Sequence, residues 1–275
     1  MQLLINDEST CKKDGICANE CPVAIIRLKD GNGFPEMVQG GEGICLLCGH
    51  CVAVCPQGAL SHIKVPIEEC PPILKEVEIS EEQAIQFLRS RRSVRFFKNR
   101  PVEKEKIQRL IEAARYAPTG SNSQSIEWTV FTDKTEIRNL AGLTVEWMKN
   151  VREANSQAIA DFPYIPMIIA AWEMGMDVVL REAPALIIAS APQKNTSGMT
   201  DLSISLSYLD LIAPKLGLGT CWAGLLQGGL TSWKPLKDAV GLPEGHSQHY
   251  PMMLGYSKYK YFRLPERKLP KINWK

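Results

Sequence analysis

The sequence lacks the features that would bring a protein to nucleic acid or into a membrane. Its 275 residues carry 32 basic and 30 acidic side chains, and the net charge of +2 predicts no strong attraction to nucleic acid or anionic lipid. The most apolar runs, at residues 164–172 and 183–192, are too short to cross a bilayer. The first ten residues show no basic segment followed by a long apolar stretch, so no secretory signal is predicted. A cytoplasmic protein is therefore expected.

Cysteine, by contrast, is plentiful, and its distribution is uneven. Seven of the nine cysteines fall between Cys11 and Cys55, whereas Cys70 and Cys221 stand apart. In a reducing compartment such clustering favours ligation of a metal or cofactor over a disulfide scaffold. The distribution also divides the chain. We predict a cysteine-dense domain at residues 1–66, a proline-rich connector at 67–79, and a domain with longer helices and strands at 80–275.

Two cysteine repeats have the spacing of iron–sulfur ligands. The second repeat brings three thiolates to one cluster on a tight loop, while its last cysteine, placed before Pro56, ligates the other cluster. This crossover explains why the pattern occurs twice. One cluster is expected on Cys45, Cys48, Cys51 and Cys21, and the other on Cys11, Cys17, Cys55 and position 14. Structural zinc sites usually take close pairs of cysteines from two separate knuckles, which is a different spacing.

Asp14 stands in the first repeat where the second repeat has Cys48. A carboxylate is a harder ligand than a thiolate and holds an iron–sulfide corner more weakly. The whole segment resembles bacterial-type two-cluster ferredoxins, among which this substitution is known. The resemblance implies either a 4Fe–4S cluster with one oxygen-ligated iron or a 3Fe–4S cluster. The alternative is a solvated Asp14, with Cys70 supplying the eighth thiolate.

The other side chains of this domain are not expected to bind iron. Apolar residues around the repeats are expected to keep water from the clusters: Ile5, Ile25, Ile26, Leu46, Val52, Val54 and Leu60. His50 and His62 are interpreted as exposed or core histidines rather than as ligands, because thiolates already fill the ligand positions.

Helix and strand signals mix without regular alternation in residues 80–275, which predicts an α+β fold. Ser80 and Gln83 form a capping-box signature before a helix whose apolar face contains Ala84, Ile85 and Leu88. Further helices are predicted at about 102–116 and 202–216. Buried strands are predicted at 126–131 and 184–191.

Arg91, Arg92 and Arg95 follow the first of these helices. Basic residues at the end of a helix complement its negative dipole, and this role needs no ligand. They can also present planar donor groups to one phosphate, with Ser93 as a further donor. Composition alone leaves both interpretations open.

Four segments resemble, in order, the signatures of the FMN-dependent nitroreductase family: RRSVRFF, AARYAPTGSNSQSIEW, LGLGTCWAGL and LGYSKYKYFRLPERK. The resemblance covers nearly all of residues 80–275. With the N-terminal module it extends to a ferredoxin-fused subgroup of that family. It implies a homodimer in which each FMN lies at the subunit interface.

The resemblance also implies roles for individual residues. The FMN phosphate and ribityl chain would be bound by Arg91, Arg92, Ser93 and Arg95, with Arg267 and Lys268 closing the site from the C-terminal tail. The partner subunit would contribute Pro118, Thr119, Gly120, Asn122 and Gln124. The isoalloxazine edge would lie along Leu218, Gly219 and Thr220, where backbone N–H groups stabilise a reduced, anionic flavin. Ser125 stands where many relatives have proline, so this loop is expected to differ.

Iron–sulfur clusters carry single electrons, whereas FMN can collect two and deliver a hydride. The predicted function is an oxidoreductase that passes electrons from the clusters through FMN to a small electron-poor acceptor, such as a nitroaromatic or a quinone. Either NAD(P)H or an external ferredoxin would supply the electrons. No side chain is assigned as a catalytic acid, because solvent can supply protons.

Two other functions remain open. One is an electron-transfer or redox-sensing module, and the other is a specialised flavin enzyme like the relatives that dehalogenate, desaturate or fragment flavins. Residues 145–167 are predicted to form either a substrate lid or a plain surface excursion.

Overall fold

The computed structural model describes residues 2–154 and 162–275. They form two compact units, Met1–Ile79 with Ser121–Ser123, and Ser80–Gly120 with Gln124–Lys275. Within the described residues, no helix has the length and apolar character needed to cross a membrane. The predicted lid at 145–167 falls partly on residues 155–161, which lie outside the described part of the chain.

The first unit is built from very short elements. Its strands pair antiparallel, β1 (Leu4–Asn6) with β4 (Leu60–His62) and β2 (Ile26–Leu28) with β3 (Pro35–Met37). Each cysteine repeat contains one turn of helix, α1 (Ile16–Asn19) or α2 (His50–Ala53).

The core of the first unit contains predicted ligands. Cys17 is buried with Leu4, Ile25, Ile26 and Leu60, and several other cysteines pack against this cluster. The expectation that Ile5 shields a cluster is wrong, because its side chain is 55% exposed. Successive residues of a strand face opposite sides, so burying Leu4 in β1 turns Ile5 outward.

The second unit contains an antiparallel sheet with the strand order β5-β6-β8-β7. Its strands are β5 (Glu127–Phe131), β6 (Ala185–Pro192), β7 (Gly219–Trp222) and β8 (His246–Gly255). Its helices are α3 (Glu81–Ser90), α4 (Lys104–Ala114), α5 (Lys134–Ala154), α6 (Ile165–Glu173), α7 (Gly198–Ile212), α8 (Gly224–Ser232) and α9 (Lys234–Val240). This mixture of helices and an antiparallel sheet confirms the predicted α+β class.

Two hydrophobic cores flank strand β6. Leu186 and Ile188 pack with residues of α5, α6, α8 and α9, whereas Ala185 and Ile187 pack with residues of α4 and α7. Alternate residues of a strand face opposite sides, so a strand covered on both faces must be apolar throughout. This accounts for the continuous apolar run in this part of the sequence.

The predicted capping box is confirmed at the start of α3. The Ser80 N–H donates to Gln83 Oε1 over 2.9 Å, and the Gln83 N–H donates to Ser80 Oγ over 3.3 Å. The predicted apolar face, however, is largely open: Ile85 is 46% exposed and Leu88 is 57% exposed. The helix predicted at 202–216 begins earlier, at Gly198, and ends at Ile212, where the Ala213–Leu216 turn takes over.

Candidate redox centres

The cysteines of the first unit fall into two groups. Cys21, Cys45, Cys48 and Cys51 line one cavity, and we call them the Cys51 group. Cys11, Cys17 and Cys55 form the Cys17 group, in which the charges of Cys55 and Cys11 act on Cys17. Each group thus takes one cysteine from the other repeat, as crossed ligation of two clusters requires.

Burial opposes the ionisation of the predicted ligands. Among the described residues, no three His, Cys, Asp or Glu side chains come close enough together to hold one metal ion. A cluster spreads its ligands over several iron atoms. Burial raises the pKa of Cys51 to about 11, and neighbouring thiolates add to this effect. Burial also raises the pKa of Cys17. Iron would offset the cost of ionising these thiols.

Hydrogen bonds reach sulfur atoms in both groups. In the Cys17 group, the backbone N–H of Ala59 donates to Cys55 Sγ over 3.3 Å. In the Cys51 group, Cys45 Sγ lies 3.7 Å from Nε2 of His62. His62 is buried on β4, and burial lowers its pKa, whereas His50 is exposed. Sequence analysis interpreted His62 as an exposed or core histidine and did not predict its contact with Cys45.

The backbone around Asp14 repeats the backbone around Cys48. Lys13 and Leu47 have φ angles of 57° and 52°, and Gly15 and Gly49 have φ angles of 74° and 71°. Left-handed residues therefore flank position 14 just as they flank the thiolate position 48. Asp14 Oδ1 accepts the N–H of Ile16 over 3.2 Å. The alternative ligand, Cys70, donates its thiol to the carbonyl of Pro66 over 3.4 Å.

In the second unit, residues 91–95, which we call the arginine segment, lie between β7 and the C-terminal tail, residues 256–275. The Val94 N–H donates to the Thr220 carbonyl over 2.8 Å, and the Lys258 N–H donates to the Phe96 carbonyl over 2.9 Å. A side chain at Gly219 would collide with Val94, so glycine permits this close approach. The structure therefore brings the predicted phosphate-binding residues beside the predicted flavin-edge residues.

A buried carboxylate orients the first arginine of this segment. Asp210 on α7 accepts from Arg91 Nη1 over 3.2 Å, from Trp222 Nε1 over 3.4 Å, and from the Thr220 hydroxyl. Sequence analysis missed Asp210, although one signal is present: it is a charged residue on the apolar face of a helix that also contains Leu202, Leu206 and Leu209.

The C-terminal tail runs antiparallel to the arginine segment. The Arg92 guanidinium lies 5.7 Å from the centroid of the Tyr261 ring, and Glu266 pairs with Arg89 over 3.3 Å. This course carries Arg267 and Lys268 past the end of α3. Both side chains are exposed.

The loop that contains the predicted partner-facing residues is held at both ends. The Gly120 N–H donates to Asp201 Oδ1 over 2.9 Å, and the Gln124 N–H donates to Thr119 Oγ1 over 3.0 Å. Ser121, Asn122 and Gln124 have φ angles of 51°, 54° and 46°. Non-glycine residues in the left-handed region cluster at functional sites.

Within the first unit, Asn122 has a role that the sequence did not suggest. Its Nδ2 donates to the carbonyls of Leu46 and Leu47 over 2.9 and 3.1 Å, in the loop between Cys45 and Cys48. A flavin contact for Asn122 stays a prediction.

Arg95 and Arg181 line two cavities of the second unit, of about 370 and 150 Å³. The smaller cavity is also lined by residues 221–225, which follow the predicted flavin edge. Arg181 has a φ angle of 61°, in a turn fixed by Asp177, whose carboxylate accepts the N–H groups of Leu180 and Glu182 over 2.8 and 3.0 Å. Sequence analysis missed Arg181, because it belongs to no motif.

Two family models match the two parts of the chain. The model of the nitroreductase family matches residues 88–256, more than half of the chain, and the protein belongs to that family. The model of the 4Fe-4S dicluster domain matches residues 9–60. The chain is therefore an oxidoreductase of the nitroreductase family with an N-terminal ferredoxin domain, as the sequence predicted.

Relatives and solved structures agree with this assignment. The chain is 25% identical over 182 residues to an Archaeoglobus fulgidus protein named "Putative NADH dehydrogenase/NAD(P)H nitroreductase", a match that covers 64% of this chain and 87% of the relative. A nitroreductase with bound FMN from Bacteroides fragilis is similar with a TM-score of 0.54 and 20% identity, covering 71% of this chain and 100% of that one. A nitroreductase with bound FMN from Desulfitobacterium hafniense has a TM-score of 0.53 and 21% identity, with the same coverage. At these identities the two structures establish the fold.

Proposed function

We propose that this oxidoreductase passes electrons from two iron–sulfur clusters to FMN, and from FMN to a small electron-poor acceptor. The main support is the hydrogen bond between Val94 and Thr220, which holds the arginine segment beside the glycine-containing strand β7. Arginine side chains can bind the phosphate of a phosphorylated flavin, and glycine allows the backbone to approach a ligand closely.

The chain's own residues would bind and orient this cofactor. Arg91, Arg92, Ser93 and Arg95 would hold the phosphate and ribityl chain, with Asp210 fixing the direction of Arg91. Arg267 and Lys268 would add charge from the tail. We add Arg181, which shares two cavities with Arg95 and would favour negative charge on a reduced ring. When bound, FMN would supply the change from one-electron to two-electron transfer.

We further propose that the active form is a homodimer. Exposed apolar side chains support it: besides Ile85 and Leu88 on α3, the tail exposes Phe262, Leu269 and Trp274 by 87%, 90% and 89%. Exposed apolar side chains that form a contiguous patch are typical of an interface. Pro118, Thr119, Gly120, Asn122 and Gln124 would then reach the flavin of the partner subunit. Light scattering of the FMN-loaded protein tests this, and a monomer that retains full activity would contradict it.

The electron path is tested by rapid kinetics on protein purified without oxygen. Iron, sulfide and FMN are first counted. Reduced ferredoxin, NADH and NADPH are then mixed with the protein in turn, while cluster and flavin absorbance are followed. We expect at least one donor to reduce the clusters and the flavin, and a nitroaromatic or a quinone to reoxidise both.

A matched variant separates the cluster route from direct reduction of FMN. Cys48→Ala removes one predicted ligand of the Cys51 group and leaves the sequence of the second unit unchanged. Ferredoxin should then reduce FMN more slowly, whereas direct reduction by a nicotinamide would be unchanged. FMN that stays oxidised while the clusters are reduced would overturn the path, and a protein without flavin would overturn the proposal. Low turnover with every acceptor would indicate an electron-transfer module instead.

A further inference from the structure

In the described part of the first unit, His62 has a ring nitrogen that faces the sulfur of a predicted cluster ligand, Cys45. His50 Nδ1 lies 3.4 Å from the backbone carbonyl of Cys48 instead. We propose that His62 is a positioning residue for the Cys45 sulfur, and that its hydrogen bond to that sulfur raises the reduction potential of the cluster on the Cys51 group. This inference depends on the dicluster ferredoxin domain and does not depend on FMN.

The hydrogen-bond partners of the ring fix its tautomer. The backbone N–H of Lys64 donates to Nδ1 of His62 over 3.0 Å, so Nδ1 carries a lone pair and no proton. A neutral imidazole has its single proton on the other nitrogen. Nε2–H is therefore the donor, and the atom it faces is Cys45 Sγ, 3.7 Å away. A donor of fixed direction thus points at a sulfur that is expected to bind iron.

The fold keeps the ring in this place. His62 ends β4, where it pairs with Leu4 of β1, and a tight turn follows in which the Val65 N–H donates to the His62 carbonyl over 2.9 Å. Only 3% of His62 is exposed, and the ring lines the cavity of the four cysteines. Because water is largely excluded, this hydrogen bond meets little competition and acts in a low dielectric.

The effect on the cluster follows from charge. Reduction adds one negative charge, part of which lies on the ligand sulfurs. A fixed N–H donor stabilises that charge more than it stabilises the oxidised cluster, so it raises the potential. In the Cys17 group, backbone N–H groups donate to sulfur, among them the N–H of Ala59 to Cys55 Sγ, and replacing His62 leaves these donors in place. The effect should therefore be confined to one cluster.

The test is a redox titration of the full chain, followed by EPR, with three variants. His62→Leu removes the donor, His62→Gln retains an N–H donor, and His50→Leu replaces an exposed histidine that lies between Cys48 and Cys51. For His62→Leu we expect a lower midpoint for one cluster and an unchanged midpoint for the other. The ratio of reduced to oxidised cluster at a fixed potential should fall about fivefold, as for the loss of one typical hydrogen bond. His62→Gln should recover part of this shift, and His50→Leu should resemble the wild type.

The proposal is overturned if His62→Leu shifts neither cluster or shifts both equally, or if His62→Gln behaves like His62→Leu. A second measurement covers the case in which His62→Leu does not retain its iron. Wild-type protein labelled with ¹⁵N-histidine should show coupling of one histidine nitrogen to the reduced cluster in pulsed EPR. That coupling should persist in His50→Leu and be absent in His62→Gln. A wild-type spectrum without it would also refute the role of His62.

Discussion

The two units place their predicted cofactors differently with respect to their cores. In the first unit, strands of three residues surround a core in which Cys17 is buried and Cys21, Cys45, Cys51 and Cys55 pack against it. In the second unit, the sheet and its helices bury a core of aliphatic residues, and the arginine segment lies at the edge of that sheet. The predicted iron ligands are therefore part of the core of the first unit, whereas the second unit should fold without a flavin.

The largest expected effect is the loss of the first unit when iron is removed. Small domains that bind metal through buried thiolates draw much of their folding free energy from the metal. Chelation of iron from the full chain, without oxygen, should make residues 1–79 sensitive to protease, while residues 80–275 stay protected. Limited proteolysis followed by mass spectrometry measures both parts at once.

Removal of the flavin is the matched control for that experiment. The second unit should stay folded, and its melting temperature should rise as FMN is added back, since a ligand stabilises a protein according to its concentration relative to Kd. Equal protease sensitivity of the two units after either treatment would contradict the difference between their cores.

A smaller effect is expected when the buried carboxylate of the second unit is removed. Asp210→Ala leaves the Arg91, Thr220 and Trp222 donors without their acceptor, and should cost about 2–3 kcal/mol of unfolding free energy. Urea unfolding measures this loss, and the FMN content of the purified variant should fall as well. Asp238→Ala is the control, because Asp238 is 61% exposed and its pair with Lys234 is a surface pair. Equal losses for the two variants would argue against a positioning role for Asp210.

Asp14→Cys should change a spectrum rather than stability. The left-handed residues on both sides of position 14 match those around Cys48. A thiolate at position 14 should therefore reach an iron atom of its own cluster, as Cys48 is expected to do in the other cluster. We expect a changed EPR signal for the cluster on the Cys17 group, and an unchanged signal for the other cluster. If both signals stay as in the wild type, Asp14 is not a ligand.

The smallest effect is expected for Cys70→Ser. The thiol of Cys70 donates to the carbonyl of Pro66, and a hydroxyl can make the same bond. Iron content and both EPR signals should therefore be unchanged. A loss of iron in this variant would make Cys70 the eighth ligand and would leave Asp14 as a solvated residue.

Local sequence predicted those parts of the molecule that depend on local chemistry. The cysteine spacing separated the ferredoxin domain from the rest, and Ser80 with Gln83 indicated the start of α3. The packing of an amphipathic face, however, depends on the surface that meets it. Ile85 and Leu88 look like core residues in the sequence, yet they are exposed in the described chain.

The residues that sequence analysis missed act across long separations in the chain. Asp210 meets Arg91, 119 residues away, and His62 meets Cys45, 17 residues away. No spacing rule joins such pairs, because the fold and not the local pattern brings them together. Ile5 illustrates a different error. It was expected to be buried because it is apolar, but the alternation of side chains along β1 places it on the outer face.

The predicted exchange of Cys21 and Cys55 between the repeats has a consequence for how the protein matures. Because each predicted cluster takes one sulfur from the opposite repeat, we expect that neither cluster can be completed on one repeat alone. Both repeats would have to leave the ribosome before either cluster is complete.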